Sequence, residues 1–480
     1  MELNQHYRLA TQAAVRPERF GGLIYRYDNR RLYFLHSKEL AEFVGGLDGA
    51  APVGTALDSF LDANRLPDEA RPKFEQTLAA LGRLGVIEPV SAVRPASAKG
   101  YLEPAAPGAK PGAARGQSYE LFRQGLDAPI CLTWELTYGC NLRCVHCLSS
   151  SGERRADELT TAEAKALIDE WADMQVFYIN VGGGEPMSRP DFFELMDYCL
   201  ARGIGVKFST NGTLIDEAAA DWIVNSDYLD VQISLDGADA ATNDPVRGTG
   251  SFMRARRAME LLAERGFCFK INSVVTRQNA GQLDQLYALA NSYGAQLRIS
   301  RLRPSGRGQA VWDAMRPTAA QNRALYDWLQ AHPDVMTGDS FFHLSAFGAP
   351  LDGLNMCGAG RIVCCVDPVG EVYACPFVLS PEFSGGNVRH PDGFRGIWRQ
   401  SPLFAHLREW QVGGSCASCN AYDSCHGGCM AAKHFTGRSL DDPDPDCVFG
   451  GAGEAAPAFS TIIPLTAISA AIRPTLSAGP

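Results

Sequence analysis

Between Pro129 and about residue 303 the chain alternates six short β-rich segments with helical stretches, and nothing else in the sequence constrains the fold as strongly. The segments read "ICLTWEL", "VFYINV", "VKFST", "DVQISL", "FKINSVV" and "LRISRL", and stretches such as "TAEAKALIDEWADM" and "DQLYALANSYG" separate them. Strands that are each followed by a crossover helix pair in parallel, with helices covering the sheet. The segments read as near-continuous apolar runs, as a sheet buried under helices requires. Six such units make an α/β fold, most simply a partial (β/α)6 barrel. In barrels of this kind the loops after the strands converge over one mouth, where the chemistry sits. Here those loops are "TYGCNLRCVHC", then "GGGEP", "STNG", "SLDG", "VVT" and "RLRPSGRG".

The first loop holds Cys140, Cys144 and Cys147, spaced C-x3-C-x2-C. Three thiolates so close can fold around one metal centre, and a 4Fe-4S cubane would keep one iron without a protein ligand. Metal sites that do chemistry keep such a position open, whereas structural sites close it. A structural zinc loop completed by a distant fourth ligand is the alternative that spacing alone allows.

The chain has 480 residues and fifteen cysteines. That length exceeds what one core supports, so two to four domains are expected. A net charge of -10 offers no footprint for nucleic acid. The N-terminal residues lack the pattern of a signal peptide, and no window reaches the roughly 18 apolar residues of a membrane span. The expectation is a cytoplasmic protein with neither a nucleic-acid nor a membrane partner, whose clustered cysteines bind metal rather than form disulfides. Residues 1–95 read as a separate unit. "FGGLIYRYDNRRLYFL" has two β-rich runs about Asp28-Asn29, and "SKELAEFVGGL" and "RPKFEQTLAALGRLGVI" have helical spacing. Residues 96–120, rich in Pro, Ala, Gly and Ser, read as a flexible linker. The barrel then spans 121–335, a loop-rich region 336–450, and a tail 451–480. The loop-rich region carries nine cysteines and reads as too poor in regular structure to fold without inorganic staples. Cys131, Cys199 and Cys268 sit in apolar contexts and read as core thiols.

The cysteine loop, "GGGEP" and "SLDG" together resemble the radical S-adenosylmethionine superfamily, whose barrel binds a 4Fe-4S cluster with S-adenosylmethionine on its open iron. The resemblance implies that Cys140, Cys144 and Cys147 hold that cluster. It places Gly182, Gly183, Gly184, Glu185 and Pro186 along the methionyl amino group, and Ser209, Asn211, Ser234 and Asp236 near the ribose and carboxylate. His146 stands where the family usually has an aromatic bordering the adenine. The later cysteines, C357-x12-G370-x4-C375, then C416-x2-C419-x5-C425-x3-C429 and Cys447, resemble the SPASM extension with two auxiliary 4Fe-4S clusters. The family pattern puts Cys357, Cys364, Cys375 and Cys429 on one and Cys416, Cys419, Cys425 and Cys447 on the other, making three clusters in all. Because the seven motif cysteines are one short of two closed cubanes, Cys364 or Cys365 supplies the eighth.

From about residue 120 to 450, stretches such as "CGAGRIVC" and "GGCMAAKHFTG" resemble the mycofactocin maturases. These oxidatively decarboxylate the C-terminal tyrosine of a ribosomal precursor peptide and join the resulting unit to the preceding valine through a carbon–carbon bond. Residues 1–95 resemble the pathway's PqqD-like, winged-helix-like peptide chaperone, here fused to the catalyst. The resemblance implies leader binding by strand addition to a hairpin such as Phe20 to Leu35, delivery made intramolecular by the linker, and an external electron donor. Arg301, Arg303 and Arg307 are candidates to bind a carboxylate of peptide or cosubstrate. Two alternatives stand beside this reading: another SPASM maturase that forms thioethers or oxidises Cys or Ser, and a zinc-stabilised peptide-binding module.

Overall fold

The computed structural model describes residues 1–28, 31–91, 122, 125–337, 341–351 and 357–449. Asn29, the expected linker at 96–120 and the expected tail at 451–480 lie outside the described residues.

The N-terminal unit contains two three-stranded antiparallel sheets. In one, β1 (His6–Leu9) lies between β5 (Asp48–Pro52) and β6 (Ile87–Pro89); the other is the meander β2 (Ala13–Glu18), β3 (Gly21–Arg26) and β4 (Leu32–Leu35). The expected hairpin is β3–β4, paired from Gly22 opposite Leu35 to Tyr25 opposite Leu32. Helices α1 (Lys38–Gly45), α2 (Val53–Ala63) and α3 (Ala70–Arg83) complete the unit. Ser37 Oγ accepts the Leu40 amide at 3.1 Å and starts α1, whereas α2 begins after Pro52 with no side-chain cap, which left it without a sequence signature. Side chains alternate across the meander. Ile24, Val15 and Leu35 pack on the unit's own helices, while Leu23 and Tyr25 turn outward into the core of the barrel.

Six parallel strands form the barrel: β7 (Cys131–Glu135), β8 (Tyr178–Gly182), β9 (Gly205–Thr210), β10 (Leu229–Ser234), β11 (Lys270–Val275) and β12 (Gln296–Arg301). The short β13 (Met336–Thr337) extends the sheet beyond β12. At the other edge β14 (Val363–Val366) pairs in parallel with β7, followed by β15 (Glu371–Tyr373) and β16 (Ser384–Asn387), so barrel and cysteine-rich region share one ten-stranded sheet. Thr160 and Glu163 form a capping box at the helix Thr161–Asp173, whose Trp171 meets Trp134 of β7 edge to face at 5.2 Å.

The strands correct the expectation of near-continuous apolar runs. Outward residues such as Leu132, Ile179, Phe208 and Ile233 are buried under helices, but the polar Thr133, Asn180, Lys207, Gln232 and Asn272, at every second position, face the lumen. Their side chains leave a cavity inside the half-barrel instead of filling it. Within the lumen Lys270 and Asp230 form a buried ion pair.

Candidate functional site

The cysteine loop is set by backbone and carboxylate contacts at the end of β7. Glu158 accepts Thr137 Oγ1 at 2.9 Å and the Tyr138 amide at 2.8 Å, and the Cys140 amide donates to Gly152 O at 2.9 Å, closing the loop on itself. The second motif packs onto it through backbone. The amides of Gly184 and Glu185 donate to Thr137 O and Gly139 O at 2.7 and 2.8 Å. A Cβ on Gly184 would stand 1.9 Å from Gly139 O, and Gly183 has φ +112 with its Cβ position 2.6 Å from Thr137 O. The glycines are therefore required by the approach of two loops as much as by any ligand.

Cys140, Cys144 and Cys147 face a cavity of about 790 Å³, which Gly182, Gly183, Gly184, Ser209, Asn211, Ser234 and His146 also line. Three of the expected contacts do not reach it: Glu185, Pro186 and Asp236 are buried behind the lining. Glu185 has Oε1 accepting Thr210 Oγ1 and Oε2 accepting the Asn211 amide, both at 2.8 Å. Burial pushes its carboxyl up to about 7 against these bonds, so it ties the β8 loop to the β9 loop instead of presenting a free acceptor. Asp236 accepts the Val274 amide on Oδ1 at 2.8 Å, while His146 Nε2 and Arg247 Nε both lie 2.7 Å from Oδ2, the latter without hydrogen-bond alignment. Burial alone would raise its pKa, but Arg247 and His146 hold it well below the usual carboxylate range. Asp236 thus orients His146, whose buried Nδ1 has no protein partner.

The arginines at and beyond the end of β12 separate in role. Arg301 grips Asp444 through two nitrogens at 2.6 and 2.9 Å and also reaches Asp446, and Arg307 donates to Cys144 O and Ser151 O, both at 2.8 Å. Both hold loops, and Arg307 and Arg303 also line the cavity, Arg303 lying over Phe377 and donating to Arg301 O at 3.2 Å. Asp444 in turn accepts the Cys429 amide at 2.8 Å, a staple from the barrel to the cysteine-rich region with no motif to announce it.

Cys416, Cys419, Cys425 and Cys447 line one small separate cavity. Cys357, Cys375 and Cys429 line the main one. Cys364 and Cys365 lie on opposite faces of β14. Cys364 is opposite Leu132 and buried in the helix-covered core, whereas Cys365, opposite Thr133, turns to the lumen side of β14 and is fully buried behind the cavity lining, where burial and then the Glu135 and Asp367 charges push its thiol well up. The expected place of Cys364 among the auxiliary ligands is therefore not the one its orientation favours. Cys199 is a core thiol as expected, but Cys131 lines the lumen and accepts Asn180 Nδ2 at 3.0 Å. Sequence reasoning also passed over Glu135, a buried lumen carboxyl pushed up to about 7 by burial and then by Asp367. Its signal was the alternation of "CLTWE". The donor set fits an iron–sulfur cluster with a cosubstrate: three thiols on one cavity wall, a glycine cradle, and one orphaned imidazole nitrogen.

Family models match at residues 6–88 (peptide chaperone MftB family), 134–290 (radical SAM superfamily) and 357–420 (iron–sulfur cluster-binding domain). Mycofactocin maturase MftC of Mycolicibacterium smegmatis is 62% identical over 335 residues, 69% of this chain and 86% of that protein. An AdoMet-dependent heme synthase of Methanosarcina barkeri is 32% identical over 67% of this chain and 97% of its own. Among solved structures, Streptococcus suis SuiB bound to S-adenosylmethionine superposes with TM-score 0.67 at 20% identity, covering 92% of this chain and 99% of that one. SuiB bound to its precursor peptide SuiA has the same TM-score at 18% identity. Identity near two-thirds with one group and near one-third with the other separates them: the chain belongs to the mycofactocin maturase family of radical S-adenosylmethionine peptide-modifying enzymes, with a peptide-chaperone domain on the same polypeptide.

Proposed function

We propose that this chain matures a short ribosomal precursor peptide by oxidatively decarboxylating its C-terminal tyrosine and then joining the tyramine-derived unit to the preceding valine through a carbon–carbon bond. The observation that carries the reading is the 62% identity to mycofactocin maturase MftC across the barrel and the cysteine-rich region. Cys140, Cys144 and Cys147 hold a 4Fe-4S cluster, with S-adenosylmethionine along Gly182, Gly183 and Gly184 and His146 Nδ1 as the polar group left for it. When bound, these groups would supply the one-electron, hydrogen-abstracting chemistry that the tyrosine β-carbon and the valine side chain require.

The chain's own residues orient the peptide end and exclude water. Arg303 is placed in the cavity to meet a carboxylate, and Glu135 to hold a proton near neutral pH. Two auxiliary clusters complete a set of three: one on Cys416, Cys419, Cys425 and Cys447, the other on Cys357, Cys375, Cys429 and Cys365. With four thiolates each, both would be closed and would supply electron transfer to and from an external donor there. The leader pairs with the outer edge of β4, since β2 packs on α1 and the Leu23–Tyr25 face is taken by the barrel. Among the described residues no helix is long and apolar enough to cross a membrane.

The test is mass spectrometry of a synthetic precursor ending in Val-Tyr, incubated anaerobically with reconstituted protein, S-adenosylmethionine and a reductant. The expected product has lost carbon dioxide and two hydrogens and appears with 5′-deoxyadenosine. Loss of two hydrogens without carbon dioxide would replace this reading with another peptide oxidation.

A further inference from the structure

The family comparison assigns the N-terminal domain to peptide recognition and leaves open what it does to the barrel. Its meander sits against the N-terminal ends of the barrel strands, at the end of the lumen away from Cys140, Cys144 and Cys147. Tyr25 stacks on Phe177 and Tyr178 at 5.6 and 5.1 Å, and Tyr27 meets Tyr228 at 4.9 Å and donates to Gly203 O at 3.0 Å. Tyr228 donates in return to Thr11 O at 3.0 Å. Beside these rings Arg16, 1% exposed, donates to Ala128 O at 2.8 Å and to Gln175 O at 3.1 Å, lies over Phe177, and pairs with Glu18 at 2.7 Å. Glu18 also accepts the Asp127 amide at 2.9 Å. A buried charge pair whose donors end on carbonyls of the opposite unit commits the two units to one relative placement.

Tyr25 and Tyr27 belong to the wall of the same cavity that Cys140, Cys144 and Cys147 line, together with Cys131, Tyr178 and Tyr228 from the lower barrel. We propose that the N-terminal domain is the floor of the reaction chamber: Tyr25 and Tyr27 close the lower mouth of the barrel, Arg16 bolts them there, and that mouth opens only when the domain undocks. The domain then does more than raise the effective concentration of a leader. It keeps solvent from the reactive peptide intermediate, so that cosubstrate cleavage stays coupled to peptide modification. The coupling part rests on the function proposed above; the closure part does not.

Cys131 reports on closure. In the reconstituted chain with S-adenosylmethionine bound, alkylation of Cys131 is followed by peptide mass spectrometry with iodoacetamide and with a bulky maleimide, each relative to the denatured chain. Both reagents are expected to react equally slowly, because both wait for undocking. Tyr25→Ala should speed both at least about tenfold through lost packing, and Tyr25→Phe should not. The ratio of deoxyadenosine to modified peptide should rise in Tyr25→Ala and return in Tyr25→Phe. Free reaction of Cys131 with iodoacetamide in the unmutated chain would overturn the floor, and this comparison holds even if Tyr25→Ala does not fold. An unchanged Cys131 rate in folded Tyr25→Ala would overturn it equally. Faster labelling with an unchanged product ratio would overturn the coupling role. If the unmutated chain leaves a Val-Tyr peptide untouched, the proposed function fails while the labelling still decides the floor.

Discussion

Two groups of cysteines show how differently a metal-binding pattern can be used. Cys140, Cys144 and Cys147 stand at the end of a barrel strand and face a large lumen, whereas Cys416, Cys419, Cys425 and Cys447 surround a small cavity of their own. The first set has three thiols and a chamber in front of it; the second has four thiols and almost no space. An open position beside room for a substrate is the arrangement for bond-making, and a closed set is the arrangement for electron transfer. Cys357, Cys375 and Cys429 lie between the two cases: they line the large lumen, and the fourth ligand proposed for them, Cys365, stands on a strand shared with the barrel.

The largest effect should come from replacing Cys140, Cys144 and Cys147 together by Ala. Deoxyadenosine formation is expected to fall to background while iron and labile sulfide for the other sites remain; persistence of cleavage would dissolve the contrast. Cys416→Ala with Cys447→Ala should do the reverse, with deoxyadenosine still produced but modified peptide lost, measured in the same reaction. Arg301→Met leaves Asp444 buried without its partner and should cost about 3–5 kcal/mol in urea unfolding of the reconstituted protein. It should also loosen both proposed auxiliary sites, because Asp444 holds the Cys429 amide of one and lines the cavity of the other.

A finer comparison is between neighbours. Cys365→Ala is expected to lower iron content by one cluster, whereas Cys364→Ala should keep full iron and cost about 1 kcal/mol of core packing. The reverse result would restore Cys364 as the eighth ligand.

The smallest effect concerns pH at the domain seam. Burial outweighs the Arg16 charge and raises the Glu18 carboxyl above its ordinary value. A carboxyl raised by folding contributes its full stability below its unfolded pKa of about 4.3 and loses it as pH rises through the folded value. Stability should therefore decline modestly from acid toward neutral pH, and Glu18→Gln, which retains an acceptor, should flatten that slope in thermal unfolding.

Much of the site was legible because it is local in the chain. Cys140, Cys144 and Cys147 lie within one loop, and Cys416, Cys419 and Cys425 within another, so spacing alone indicates convergence. The β3–β4 hairpin and the six barrel strands were legible from period and composition. The inward-facing polar positions were not legible, since a strand such as "CLTWE" alternates but is short enough to pass for an apolar run. Glu185 and Asp236 were expected at the cosubstrate because motifs mark positions, not the direction in which a carboxylate points. Hydrogen bonds from Thr210, Asn211, Val274 and His146, up to 90 residues away, set that direction.

What the sequence determined by itself was the chemistry the chain can host: which thiols gather, where glycine must stand, and the family these patterns mark. Only the tertiary structure decided what faces the lumen. It turned Cys365 inward and Cys364 outward, withdrew Glu185 and Asp236 behind the lining, and brought Tyr25 and Tyr27 to the lower mouth of the barrel. Short-range patterns specify residue type and local geometry, but which face is buried, and against what, depends on contacts between distant segments that exist only once the whole chain has packed.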